Sequence, residues 1–208
     1  MKRILLIAVV LFAASTQLVI AQCAGCTQTI NVNYAAPNIA LAPGNVLCIT
    51  GGNFTAAITA FPAGSTICVS GGGRFNPSAM PAASAGTLII SPSCTGNSAL
   101  PARVYTAGFT IQNQATAGGT LSIAGSTFIA GQNVSTSAGA TTLYTGAMVI
   151  QGGTYTNSGT TTFQNTANIS GAATTYTNNA GTTTFTGVAT ISNGTMSSAG
   201  GTTTYTAR

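Results

Sequence analysis

The side chains of this 208-residue chain that are equipped for covalent or metal chemistry are five cysteines, Cys23, Cys26, Cys48, Cys68 and Cys94. Cys23 and Cys26 have the C-x-x-C spacing of half a zinc site, but no second ligand pair accompanies them, so a disulfide is the better-supported role for each. Acid–base chemistry has no carrier. The sequence contains no Asp, Glu or His, and its one lysine is Lys2, so the side chains that normally move protons in catalysis are missing. Ser and Thr are abundant, yet a hydroxyl nucleophile needs a base beside it. This composition points away from an enzyme, and neither a cofactor nor a metal centre is expected.

Charge is equally sparse. Lys2 and Arg3 are followed by an apolar run from Ile4 to Ala14 and by Val19-Ile20-Ala21, the layout of a secretory signal over residues 1–21. Cys23 follows closely, but the bulky Gln22 before it does not suit lipid attachment. The expected product is secreted, extracellular or at the cell surface, where disulfides form. Beyond the signal only Arg74, Arg103 and Arg208 are charged. Isolated arginines make no patch that tracks a phosphate backbone, so nucleic acid is not an expected partner. No other stretch reaches the roughly 18 consecutive apolar residues of a membrane-spanning helix. A nearly uncharged exported surface invites association, so self-association or contact with a cell surface or matrix is the expected partnership.

The elements that must carry these residues repeat. Gly-Thr-Thr-Thr-Phe/Tyr occurs at 159–163, 181–185 and 201–205, and looser copies begin at Gly44, Gly64, Gly86, Gly119 and Gly139. Successive glycines are 20, 22, 33, 20, 20, 22 and 20 residues apart, a period near 20 broken once. Such a period marks a solenoid. The fourth position after each glycine reads Cys48, Cys68, Ile90, Ile123, Leu143, Phe163, Phe185 and Tyr205, so strand alternation sends it and the second position inward. First and third positions then face out. Two further apolar series, Ile111, Ile129, Ile150, Ile169, Ile191 and Val134, Tyr155, Tyr176, Met196, supply two more strands per coil. The predicted fold is all-β, a three-sided parallel β-helix (β-solenoid) of about 8–9 coils over residues 44–208.

Several features depart from the repeat. Gln28 to Tyr34 alternates, with Ile30, Val32 and Tyr34 on one face, and Pro37 and Pro43 set it apart. Residues 22–43 therefore read as a cap over the first coil or as a strand donated to a neighbour. The interval of 33 predicts one coil with an irregular, protruding loop within residues 91–108. On the same phasing Leu47, Ile49, Ile67, Val69 and Ile89 form an apolar outer stripe that something must cover. Cys48 and Cys68 fall in one slot of successive coils, about 4.8 Å apart, a spacing compatible with a bonded pair or with two buried thiols. Cys23 or Cys26 closing onto either would tie the incoming segment to the first coil, and the leftover thiol would be free to join two molecules. Tyr205 still holds an inner position with Thr206, Ala207 and Arg208 after it, so an uncapped last coil is expected. A junction between stacked copies would then place Ile30, Val32 and Tyr34 of one against Thr203 and Tyr205 of the next.

With their N-G-T and G-T-T-T-F phrases behind a signal peptide, the coils from Gly44 to Arg208 resemble the repetitive β-solenoid surface proteins of bacteria: adhesin stalks, fibre subunits and matrix proteins. The resemblance implies a non-enzymatic extracellular role, a self-assembling subunit or an adhesion module, and carries no site residue. A second resemblance is to β-solenoid ice-binding proteins, which present outward T-x-T pairs as a flat grid. The matching pairs are Thr160 with Thr162, Thr182 with Thr184 and Thr202 with Thr204, continued by Thr120 with Ser122 and Ala140 with Thr142. Another rank runs through Thr154 with Thr156, Thr175 with Thr177 and Thr195 with Ser197. Threonine also suits any solvated strand, being β-branched and polar.

Overall fold

A computed structural model describes residues 23–129 and 131–206; the signal expected over residues 1–21 lies outside them. Parallel sheets of nine, six and five strands wrap the chain into a β-solenoid of about 8 turns with a ~21-residue period, and the described residues contain no helix. One turn runs from Thr110–Asn113 in the nine-stranded sheet to Thr120–Ile123 in the six-stranded and Thr127–Phe128 in the five-stranded, returning at Asn133–Thr136. Equivalent residues of adjacent turns then meet. Tyr155 lies against Tyr176, Phe163 against Phe185 and Ile169 against Ile191.

Repeating one aromatic position along such a register stacks the rings. Tyr144 and Phe163 have centroids 4.3 Å apart, Phe163 and Phe185 4.7 Å, and Phe185 and Tyr205 5.1 Å, all within 8° of parallel. Those separations match the inter-strand spacing, so each ring excludes water from the one below without straining the backbone. Leu47, Ile67, Leu88, Ile111, Val134, Tyr155 and Tyr176 form the facing inner column of the nine-stranded sheet.

The glycine phrases mark two different sides of the solenoid, which corrects the expected phasing. Copies at Gly44, Gly64 and Gly86 precede strands of the nine-stranded sheet, whereas those from Gly119 onward precede strands of the six-stranded sheet. Before the six-stranded sheet glycine recurs because stacked backbones approach closely: a Cβ at Gly119 would run into the carbonyl of Cys94, and one at Gly181 into that of Gly159. Before the nine-stranded sheet Gly44 and Gly64 instead take positive φ, and a Cβ at Gly86 would meet the Phe61 ring. The interval of 33 is thus one turn plus one side. Residues 91–108 contain the strands Ser98–Leu100 and Val104–Tyr105, which stack under Thr120–Ile123 and Thr127–Phe128 in place of the expected loop.

The inward positions also shift in three copies. Gly44, Gly64 and Gly139 have φ of 83°, 78° and 80°, and each sits in a tight turn one residue further from its strand than Gly159 does. Inward and outward residues exchange as a result. Leu47, Ile49, Ile67 and Val69 belong to the core, so the expected outer stripe is absent apart from half-buried Ile89. Likewise Thr142 and Tyr144 point inward, while Leu143 faces out. Two members of the isoleucine series also move: Ile111 pairs with Val134, and Phe128 rather than Ile129 lies against Ile150.

Residues 27–41 form the first turn of their own solenoid and are not a strand held out for a neighbour. Gln28–Ile30 pairs with Val46–Ile49, Tyr34 bridges and stacks on Phe54 at 5.5 Å, and Ile39–Ala40 pairs with Ile58–Ala60. The chain turns a corner between Ile30 and Tyr34, which breaks the alternation read over that stretch. Ile30 is buried and Val32 is 62% exposed. Above this corner Gly52 has φ 68°, and a Cβ there would collide with the backbone of Val32.

Candidate functional surfaces

Because Cys48 and Cys68 are register partners that point out of the nine-stranded sheet, their sulfurs lie side by side on its outer face. The entering segment crosses that face and bonds both, as Cys26–Cys48 and Cys23–Cys68. Its cover explains why two outward cysteines are buried. Both members of the C-x-x-C pair are thereby in disulfides, a state suited to an oxidising compartment. Cys94, the fifth cysteine, is fully buried, with its thiol directed at the carbonyls of Gly96 (3.4 Å) and Gly73 (3.7 Å). Burial pushes that thiol's pKa up, and its position rules out the expected use as a link between molecules.

The six-stranded sheet presents two outward columns to solvent. Thr120, Thr141, Thr160, Thr182 and Thr202 form the first, in register across five adjacent strands. Ser122, Leu143, Thr162, Thr184 and Thr204 form the second, interrupted by the leucine. Thr141 therefore occupies the place expected of Ala140, and Thr142, expected outside, is buried. Thr154 and Thr156, Thr175 and Thr177, and Thr195 and Ser197 stack as a second rank on the nine-stranded sheet. Neither rank contains a charge. The charged side chains among the described residues, Arg74 and Arg103, are exposed and separate.

An inner polar corner escaped the sequence reading. Asn113, Asn157 and Asn178 continue the column begun by Ile49, Val69 and Ile90, and all three are buried. Each turns its amide toward the next side of the coil. Asn113 donates to the carbonyl of Thr141 and to Thr142 Oγ1, Asn157 to Thr182 and Thr183, and Asn178 to Thr202 and Thr203. Backbone carbonyls that a tight corner leaves unpaired are satisfied this way. The asparagines at 157 and 178 share the spacing of Tyr155 and Tyr176, which was the available signal.

The turn containing Ala189–Ile191, Thr195–Ser198 and Thr202–Tyr205 carries no further strand among the described residues. Its inner side chains line a groove of about 260 Å³, with Ile191 40% and Tyr205 55% exposed. Tyr205 O–H reaches Met196 Sδ at 3.5 Å, and its ring covers Phe185. Thr203 lines the same groove, so two of the five expected junction residues lie together there. The other three belong to the first turn: Ile30 and Tyr34 pack on their own chain, and Val32 projects from the corner. No helix among the described residues is long and apolar enough to cross a membrane. Comparison with protein-family models, with curated proteins and with solved structures yields no match for the chain.

Proposed function

We propose that the chain is a non-enzymatic extracellular structural protein, a self-assembling subunit of a cell-surface fibre or matrix whose solenoids associate end to end. The observation that carries this reading is the stack of parallel, hydroxyl-rich turns in continuous register, fastened at its first turn by two disulfides, the build of an extracellular rod. Among the described residues the turn at Ala189–Tyr205 also leaves strand edges unpaired and core residues exposed. Parallel strands pair with whatever edge is presented, and apolar interior left in water favours a cover. The opposite turn contributes an edge of its own at Gln28–Ile30, held in place by the two disulfides. A donated strand is not needed for this contact. Among the described residues none beyond Arg103 is charged. The absence of Asp, Glu and His supports a structural role over catalysis.

Light scattering on the oxidised, secreted chain tests the reading. Mass should rise with concentration, and Tyr205→Lys, which places a cation on the exposed ring position, should return it to the monomer. A wild-type chain that stays monomeric throughout would overturn the proposal. One observation favours a second reading, ice binding: the five-threonine column of the six-stranded sheet is in unbroken register. Thermal hysteresis in a purified sample, abolished by Thr160→Lys, would establish that reading. Freezing behaviour equal to that of an inert protein would remove it.

A further inference from the structure

The buried polar side chains at the asparagine corner form two hydrogen-bonded groups. In the lower, Asn113 donates to Thr142 Oγ1 at 2.9 Å, Thr142 and Thr136 share a hydrogen bond of 2.8 Å, and Thr161 reaches Thr136 at 3.5 Å. In the upper, Asn157 donates to Asn178 Oδ1 and to Thr183 Oγ1, Thr183 and Tyr176 O–H share a bond of 2.9 Å, and Asn178 donates to Thr203 Oγ1. Between the two lies a cavity lined by Thr136 and Thr161 of the lower group, Asn157 and Tyr176 of the upper, and Tyr155.

Tyr155 decides what belongs there. It is the register partner of Tyr176, as Thr161 is of Thr183. One turn up, tyrosine and threonine bond directly; at Tyr155 the pair is open, and its hydroxyl is buried without a protein partner. A buried hydroxyl without a partner is costly. The cavity is about 10 Å³, room for the centre of a single water and nothing larger, and several of its walls carry hydroxyl or amide groups.

We infer that this cavity is a binding site for one ordered water molecule, which accepts a hydrogen bond from the Tyr155 hydroxyl and donates one to each group, joining them into a continuous polar spine from Asn113 to Thr203. The spine crosses the strand-to-strand hydrogen bonds of the sheets, linking two sides of the solenoid through its interior. Water suits the position because it accepts from Tyr155 and has two protons to donate, one to Thr136 or Thr161 Oγ1 and one to an oxygen of Asn157 or Tyr176.

A high-resolution crystal structure of the oxidised chain tests the site. A density peak should lie about 2.7–3.0 Å from Tyr155 Oη, from Thr136 or Thr161 Oγ1 and from an oxygen of Asn157 or Tyr176. In Tyr155→Phe the peak should vanish or lose most of its occupancy, whereas Tyr105→Phe, whose hydroxyl lies near Pro101 O elsewhere, should keep it. Should Tyr155→Phe not fold, Thr161→Val provides the second variant, with the same expected loss. A wild-type map showing Tyr155 bonded directly to Thr161 with no peak would overturn the inference, as would a peak that persists unchanged in Tyr155→Phe.

Discussion

Phe163 lies between Tyr144 and Phe185 with both rings near 4.5 Å, while Thr162 beside it looks outward, so adjacent residues should differ sharply in what they contribute. Phe163→Ala or Phe185→Ala should cost about 3–5 kcal/mol in chemical denaturation. Thr162→Ala should cost under about 1 kcal/mol. Equal losses would mean that the strand faces are misassigned. The missing acids make a second prediction. With no Asp, Glu or His, stability should be nearly flat between about pH 3 and 7, and a loss of several kcal/mol on acidification would contradict the composition. Alkali acts differently. Burial pushes Tyr176 up to about 12, against a smaller lowering by its hydrogen bond to Thr183, and burial likewise raises Tyr105, Tyr144 and Tyr155. The folded state therefore holds these protons more tightly than the unfolded chain, in which tyrosine titrates near ~10. Stability should be full below about pH 10 and fall as pH rises toward about 12, and denaturant midpoints across that window check the sign.

At the scale of the element, the repeat and its strands were legible because apolar residues recurred at fixed spacing on a two-residue alternation. What the spacing did not show was which side of the coil each glycine served. Gly86 and Gly159 both stand directly before a strand, yet those strands lie in different sheets. Nor does sequence distinguish Gly139, in a turn with φ 80°, from Gly159, so the side chains of Thr142 and Leu143 were exchanged. Closure of Cys23 or Cys26 onto Cys48 or Cys68 was legible and is observed, but the same one-residue displacement hid which face carries that clamp. Had Cys48 and Cys68 pointed inward, the segment crossing the outer face would not have met them. The clamp should be local in effect. Replacing Cys23 and Cys26 by serine should cost roughly 2–4 kcal/mol per bond. Amide exchange should rise chiefly in Gln28–Ile30 and Val46–Ile49, and exchange rising evenly along all the turns would argue against a clamp confined to the first.

For the whole molecule, turns stacked in register make a rod whose threonine ranks are uncharged, whose first turn is fastened by disulfides and whose turn at Ala189–Tyr205, among the described residues, exposes part of its core. None of this was available from any single residue. The proposed end-to-end association would join strand edges that are unpaired among the described residues and cover the exposed Ile191 and Tyr205. Nine strands at about 4.8 Å give each solenoid a length of roughly 40 Å. Small-angle X-ray scattering over a concentration series measures that length directly. End-to-end association predicts a maximum dimension that grows in steps of about 40 Å while the cross-section stays constant. A particle of one solenoid length at every concentration, or one that thickens without lengthening, would contradict it.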